Sequence, residues 1–306
     1  MVELSRIVSV LLSWSLLAST CSGFQPTSLG GQNGLLHQRT QAAISPSKLF
    51  VLSELMPPTS TADEDDQDCA MPHYGPASVF GRPIEEDTRE FNRELIKQCK
   101  SVLFDSLFRG QEMTRCYARF YALENIARMP YFSYLSVLHL YESLGWWRRA
   151  EYLKVHFSES WNEQHHLLIM EEMGGSNRWM DRFIAQHVAV FYYWIVVALY
   201  LYNPTLAYNL NQAVEEEAYS TYANFVESNQ GFLQSQPAPT AAKDYYTGDD
   251  LYLFDAMHFD KQGGRRDKEP PRRPKMETLY DAFVAVRDDE MEHVKTMAYL
   301  QEDACR

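Results

Sequence analysis

Apolar positions recur at helical spacing along most of the chain beyond Glu86, which predicts an all-α architecture. A polar-apolar stretch from about Glu86 to Val102 reads as a surface helix. The next helix is expected from about Gln111 to Leu144, interrupted near Pro130, because proline removes a helical donor and crowds the preceding turn. Another should run from about Arg149 to Met173 and stop at Gly174-Gly175, a C-terminal signal. From about Trp179 to Tyr202 the chain holds VAVFYYWIVVALYLY, apolar all round for only about fifteen residues. A membrane span needs roughly twenty, so this helix is expected to be buried or to dip into a single leaflet. Pro204 opens the following helix, PTLAYNLNQAVEEEAYSTYANFVES, since proline suits a first turn. Residues 231 to 275 then break the pattern as a long ordered excursion, QPAPTAAKDYYTGDDLYLFD, followed by a basic, mobile loop, GGRRDKEPPRRPK. The last helix is expected from about Met276 to Leu300.

Charged residues inside these apolar faces carry the chemistry. Glu124 sits among large apolar residues, and a lone buried carboxylate is costly unless it is paired or bound to metal. In ESWNEQHHLLIMEE, Glu163 and His166 lie one turn apart on one helix face, so both can grip the same ion. The spacing returns as Glu290 and His293. Two Glu-x-x-His helices joined by single glutamates from two others are how ferritin-like four-helix bundles hold a pair of carboxylate-bridged irons. The single glutamates are available at Glu124 and in the run Glu215, Glu216, Glu217. Three adjacent acids ordinarily form a solvated face. Here they sit between Ala213-Val214 and Ala218-Tyr219, so at least one is expected to point inward.

With nine histidines in the chain, chance supplies about one Glu-x-x-His, so only the joint pattern on separate helices is specific. The alternative is a set of satisfied core carboxylates and imidazoles without metal. Imidazole and carboxylate ligands suit iron or manganese better than calcium or magnesium, and the lack of thiolate pairs disfavours zinc or an iron-sulfur centre. Tyr222 shares a face with Glu215, and with Asp289 is a candidate proton source. Tyr222 can also be read as a radical donor or as a core tyrosine with a bonded hydroxyl.

The balance of 28 Lys+Arg against 41 Asp+Glu argues against a nucleic-acid partner, which needs a basic face. Five scattered cysteines without a C-x-x-C pair make a disulfide scaffold improbable. Residues 1–23 have one Arg, an apolar run and then small residues, the layout of a signal peptide. Residues 24–60 follow as a Ser-, Thr- and Gln-rich segment free of acids until Glu54, as in transit peptides. The pair resembles the two-part plastid presequences of algae with secondary plastids; plain secretion is the competing reading. Residues 61–85, with ADEDDQD, read as a disordered linker ahead of a domain at 86–303. Trp146, Trp147, Arg148 and Arg149 suit either a lipid-headgroup boundary or a packed helix elbow.

LENIARMPYF at 123–132, WNEQHHLLIMEEMGG at 161–175, VEEEAYSTY at 214–222 and RDDEMEHVKTM at 287–297 resemble the four ligand motifs of the alternative oxidase family. The excursion at about 231–275, with YYTGDDLYLFD and PRRPKMETLYDAF, is similar to an insertion that marks the plastid branch of that family. The resemblance covers about residues 85 to 300. It implies a ferritin-like di-iron four-helix bundle with flanking helices, monotopic on one membrane leaflet and homodimeric. It implies two iron ions held by Glu124, Glu163, His166, Glu215, Glu290 and His293, a quinol pocket at Arg119, Leu123 and Thr221, and Tyr222 beside the centre. The implied activity is a plastoquinol:oxygen oxidoreductase at the thylakoid that reduces dioxygen to water and pumps no protons. A mitochondrial-type ubiquinol oxidase, another di-iron hydroxylase or desaturase, and an iron-binding or structural helical membrane protein are the competing readings.

Overall fold

The computed structural model describes residues 81–146, 149–257 and 272–305. The expected signal peptide, the transit segment, most of the linker, Trp147, Arg148 and the basic loop as far as Pro271 lie outside the described residues. The described residues fold as helices joined by short turns, with a single antiparallel bridge between Pro237 and Thr278 and no strand.

In chain order the helices are α1 (Glu86–Ser101), α2 (Met113–Ala127), α3 (Met129–Leu144), α4 (Ala150–Glu172), α5 (Trp179–Tyr202), α6 (Pro204–Ser235), α7 (Thr240–Thr247), α8 (Leu251–Met257) and α9 (Leu279–Asp303). A π-helical turn at Val102–Leu107 follows α1. The interruption expected at Pro130 falls at Arg128, between α2 and α3, with Pro130 in the first turn of α3, where its missing N–H costs nothing. After α4 the chain reverses at Gly174, whose φ of +84° is left-handed. Gly175 then passes so close to α2 that an added Cβ would meet the Tyr117 carbonyl oxygen at 2.5 Å.

Helix α5 has the bounds the sequence reading gave it, and two other boundaries differ. The apolar helix α5 spans 24 residues, Trp179–Tyr202, about 36 Å at 1.5 Å per residue. By length and composition it could cross a membrane, because Trp179 to His187 add about two and a half helical turns ahead of the fifteen-residue run. The excursion begins later than residue 231: α6 continues to Ser235 across a kink at Asn229. Two further short helices, α7 and α8, form within it, separated by Gly248–Asp250. The last helix starts at Leu279, because Thr278 caps it through a reciprocal capping box with Asp281.

Packing is dominated by α9 against α6, with α2 on α4, and these four helices form the bundle. Helices α3 and α5 pack on each other, α1 lies on α6, and α7 and α8 both lie on α4. Two apolar clusters fill the interior. One gathers Phe120, Tyr222, Phe225 and Phe283 from α2, α6 and α9, and the other gathers Tyr131, Tyr134, Tyr200, Tyr208 and Leu300. Polar ties register the outer helices on this core. Asn92 of α1 donates to Asn209 (2.8 Å), which donates to Gln301 of α9 (3.2 Å), and Arg115 of α2 pairs with Asp181 of α5 at 2.5 Å.

Candidate metal centre

Each of the four bundle helices turns acidic or imidazole side chains inward. Glu124 comes from α2, Glu163 and His166 from α4, Glu215 from α6, and Glu290 and His293 from α9. All six are fully buried. Ligand-capable atoms of Glu124, Glu163, His166 and Glu290 lie within 4.8 Å of one another, as do those of Glu163, His166 and His293. His166 Nδ1 stands 3.3 Å from Glu290 Oε1, 3.8 Å from Glu124 Oε2 and 3.9 Å from Glu163 Oε2. His293 Nε2 lies 3.1 Å from Glu163 Oε1, and Glu215 stands beside Glu290 but outside both of these atom groups.

The run of three acids resolves by register. Glu215 is enclosed, while Glu216 takes a hydrogen bond from Gln212 at 2.8 Å and lies 3.5 Å from Arg93, and Glu217 pairs with Lys100.

Burial and mutual repulsion make Glu124, Glu163 and Glu215 resist ionising. Glu124 is pushed up to about 7, by burial first and then by the Glu290 charge, against the lowering pull of His166, Glu163 and Tyr222. Burial and the same Glu290 charge hold Glu163 and Glu215 well above the ordinary glutamate range. His166 moves the other way, up to about 10: burial opposes its charge, but Asp289, Glu290 and Glu124 outweigh that. Both oxygens of Glu163 and of Glu290, Glu124 Oε2, Glu215 Oε2, His166 Nδ1 and His293 Nδ1 have no hydrogen-bond partner. Buried polar atoms left unpaired are costly, and two divalent cations would satisfy these atoms and match the charge of four carboxylates. The residues therefore fit a dimetal group.

The surrounding side chains orient this set. One tyrosine from each apolar cluster reaches in: Tyr222 donates to Glu124, and Tyr131 donates to Glu215 Oε1 at 2.8 Å. Asp289 accepts from His166 Nε2 (3.2 Å), Asn162 Nδ2 (2.8 Å), the Tyr246 hydroxyl (2.8 Å) and Arg272 Nη1 (2.7 Å). With Nε2 engaged by Asp289, His166 presents Nδ1 to the carboxylates, as a carboxylate behind a histidine does in metal sites. Burial raises the Asp289 carboxyl, but Arg272, His166 and Asn162 outweigh it and hold the group below the ordinary range. Asp289 is thus a fixed anion and a poor proton source, contrary to its sequence reading. Tyr222, pushed well above 10 by burial and the Glu124 charge, keeps its proton.

Of the expected pocket residues, Arg119 and Leu123 lie one turn apart on α2, and Leu123 is buried directly before Glu124. The Arg119 guanidinium donates to the backbone oxygens of Phe108 (3.0 Å) and Gly110. Thr221 donates to the Glu217 carbonyl at 2.7 Å. Sequence reasoning passed over Glu159, which is fully buried with both oxygens unpartnered, 3.3 Å from His293 Nδ1. Its place one turn before Glu163 on the same face was the available signal. Asn162, Tyr131, Tyr246 and Arg272 were also passed over; nothing in their local pattern marks them, because their partners come from distant segments.

Four helices that each deliver carboxylates, two of them with an imidazole one turn on, define a carboxylate-rich helical bundle whose buried cluster could hold metal. The family model described as alternative oxidase matches residues 86–302, and the chain belongs to that family. It is 54% identical over 199 residues to ubiquinol oxidase 4, chloroplastic/chromoplastic, of Arabidopsis thaliana, across 65% of this chain and 54% of that protein. Mitochondrial members are more distant. Ubiquinol oxidase 2 of Nicotiana tabacum is 29% identical over 175 residues, 56% of this chain and 49% of that protein, and the ubiquinol oxidase of Mangifera indica is 27% identical over 172 residues, 56% and 46%. The chain spans about half the length of these relatives.

Proposed function

We propose that the protein is a plastoquinol:oxygen oxidoreductase, with the activity of a plastid terminal oxidase, reducing dioxygen to water at a di-iron centre without pumping protons. The observation that supports it most is the enclosed ring of Glu124, Glu163, His166, Glu215, Glu290 and His293, whose inward atoms lack partners, in a chain 54% identical to a chloroplastic ubiquinol oxidase. Those six residues would hold two iron ions, which supply electron-pair exchange with dioxygen. The protein's own residues do the rest. Asp289 and Asn162 fix the imidazoles, and Tyr131 and Tyr222 orient the Glu215 and Glu124 carboxylates. Tyr222 is the proposed catalytic tyrosine, since its hydroxyl is one hydrogen bond from a metal ligand and can pass a proton or an electron toward it.

The quinol is proposed to bind beside Arg119, Leu123 and Thr221, where the buried Leu123 adjoins Glu124 and the Arg119 N–H groups can turn to a quinol oxygen. The exposed apolar side of α5 supports attachment to one leaflet of the thylakoid, from which a lipid-soluble quinol enters without crossing water. Homodimerisation, residues 1–23 as a signal peptide and residues 24–60 as a plastid transit segment belong to the same proposal.

An oxygen electrode tests it. Purified full-length protein in detergent should consume oxygen with a short-chain plastoquinol analogue, and Glu163→Ala or His293→Ala should reduce the rate at least a hundredfold. Uptake unchanged by either substitution removes the metal assignment, and bound iron without quinol-dependent uptake leaves an iron-binding protein instead.

A further inference from the structure

Asp289 is held from outside the four bundle helices. Arg272 lies on the arm that returns from the excursion to α9, at the far end of the basic loop. Its Nη1 donates to Asp289 Oδ1 at 2.7 Å, its Nε donates to Asp255 Oδ1 at 2.5 Å, and its backbone N–H donates to Asp255 Oδ2 at 3.0 Å. Asp255 belongs to α8, within the same excursion. The guanidinium therefore bridges two carboxylates, one on the excursion and one on the bundle, with its plane further placed over the Phe254 ring at 5.4 Å. The opposite edge of Asp289 is taken by Tyr246, from α7, and by His166 Nε2. Helix α7 is itself anchored, because Glu172 at the end of α4 accepts the backbone N–H groups of Thr240 (2.8 Å) and Ala241 (2.7 Å).

Resting on the dimetal reading above, we infer that Arg272 is a positioning residue for the metal centre. Clamped by Asp255, it fixes the Asp289 carboxylate, and Asp289 in turn fixes the His166 ring with Nδ1 directed at the metals. Two features favour this over an ordinary salt bridge. Asp289 is completely enclosed, and Arg272 is its only cationic hydrogen-bond partner among the described residues apart from His166. A cavity of 530 Å³ opens beside Arg272, Tyr246 and Lys295, so removing the guanidinium would admit water to Asp289 and loosen the imidazole it holds. The excursion thus acts as a brace on the first set of ligands, not as an appendage.

Full-length protein stripped of metal is titrated with cobalt(II) against a competing chelator, and the cobalt absorption bands are recorded. Arg272→Ala should weaken cobalt affinity about tenfold or more, the range typical for residues behind a ligand, and shift the bands. Arg272→Lys, which keeps the charge but cannot hold both carboxylates in a fork, should recover part of that loss, and Arg273→Gln should behave as wild type. Should Arg272→Ala fail to fold, as judged by circular dichroism, Asp255→Asn carries the same test, since it frees the guanidinium while leaving it in place. Affinity within twofold of wild type and unshifted bands in the folded variant overturn the positioning role alone. A wild-type protein that binds no cobalt or iron overturns the dimetal reading, which is a different result on the same samples.

Discussion

Glu215, Glu216 and Glu217 are chemically the same side chain, and their fates are set by 100° of helix rotation each. Glu215 turns into the enclosed ring, while its neighbours face Arg93 and Lys100. Glu215→Gln should therefore cost the protein at least one metal equivalent, whereas Glu216→Gln and Glu217→Gln should keep full stoichiometry by elemental analysis. Full loading of Glu215→Gln would place the fourth carboxylate elsewhere. His156 shows burial acting on a cation. It is fully enclosed, with Nε2 2.9 Å from the Tyr208 hydroxyl, and burial holds its pKa down to about 3. The unfolded imidazole titrates near 6.5, so below that pH the unfolded chain binds a proton that the native chain refuses. Its contribution is complete above about 6.5 and is lost as pH falls toward 3, by up to a few kcal/mol. Denaturant unfolding from pH 7 to pH 4 should show a shallower fall for His156→Gln than for wild type. Equal slopes would mean that this imidazole is protonated in the native state. The residue types and spacings of the six inward groups were legible in the sequence, because helical periodicity puts Glu-x-x-His on one face. Glu159 was equally legible by spacing, yet a glutamate one turn away from a motif is read as a surface partner until its enclosure is known.

Element boundaries follow local chemistry where a cap or a breaker exists and drift where none does. Pro130, Gly174 and Pro204 end or begin helices close to the positions that periodicity suggested. The start of α9 moved because Thr278 accepts the Asp281 N–H at 3.2 Å and Asp281 accepts the Thr278 N–H at 2.8 Å. Thr278→Ala should cost about 1 kcal/mol, a fall in Tm of roughly 2–4 °C for a body of this size. An unchanged melting curve would show that packing of α9 on α6 alone sets that boundary. The excursion was the least legible element. Its helices α7 and α8 are short, and a short helix holds only through tertiary contacts, here with α4.

At the scale of the whole molecule, charge and apolar surface are segregated. Six sets of ligand atoms are gathered inside, while α5 carries Trp179, Met180, Phe183, Val190, Phe191 and Trp194 on its exposed side. Scattered exposed hydrophobics are ordinary, but a contiguous helical face of this kind marks a lipid or protein contact. Val190→Glu combined with Trp194→Glu should abolish flotation with liposomes of plastid-type galactolipids while leaving bound metal unchanged. Flotation equal to wild type would sink the membrane reading and leave this face to a second copy of the chain.

The sequence alone determined the class of this protein: an all-α body, the Glu-x-x-His pairs, the glutamates that accompany them and the family they resemble. These were accessible because periodicity and spacing are properties of one helix at a time. Only the tertiary structure decided which acid of VEEEA turns inward, that Glu159 stands against His293, and that Arg272 and Tyr246 of the excursion hold Asp289. Those facts depend on contacts between residues from 17 to more than a hundred positions apart, and such contacts exist only once helices have packed and excluded water from between them.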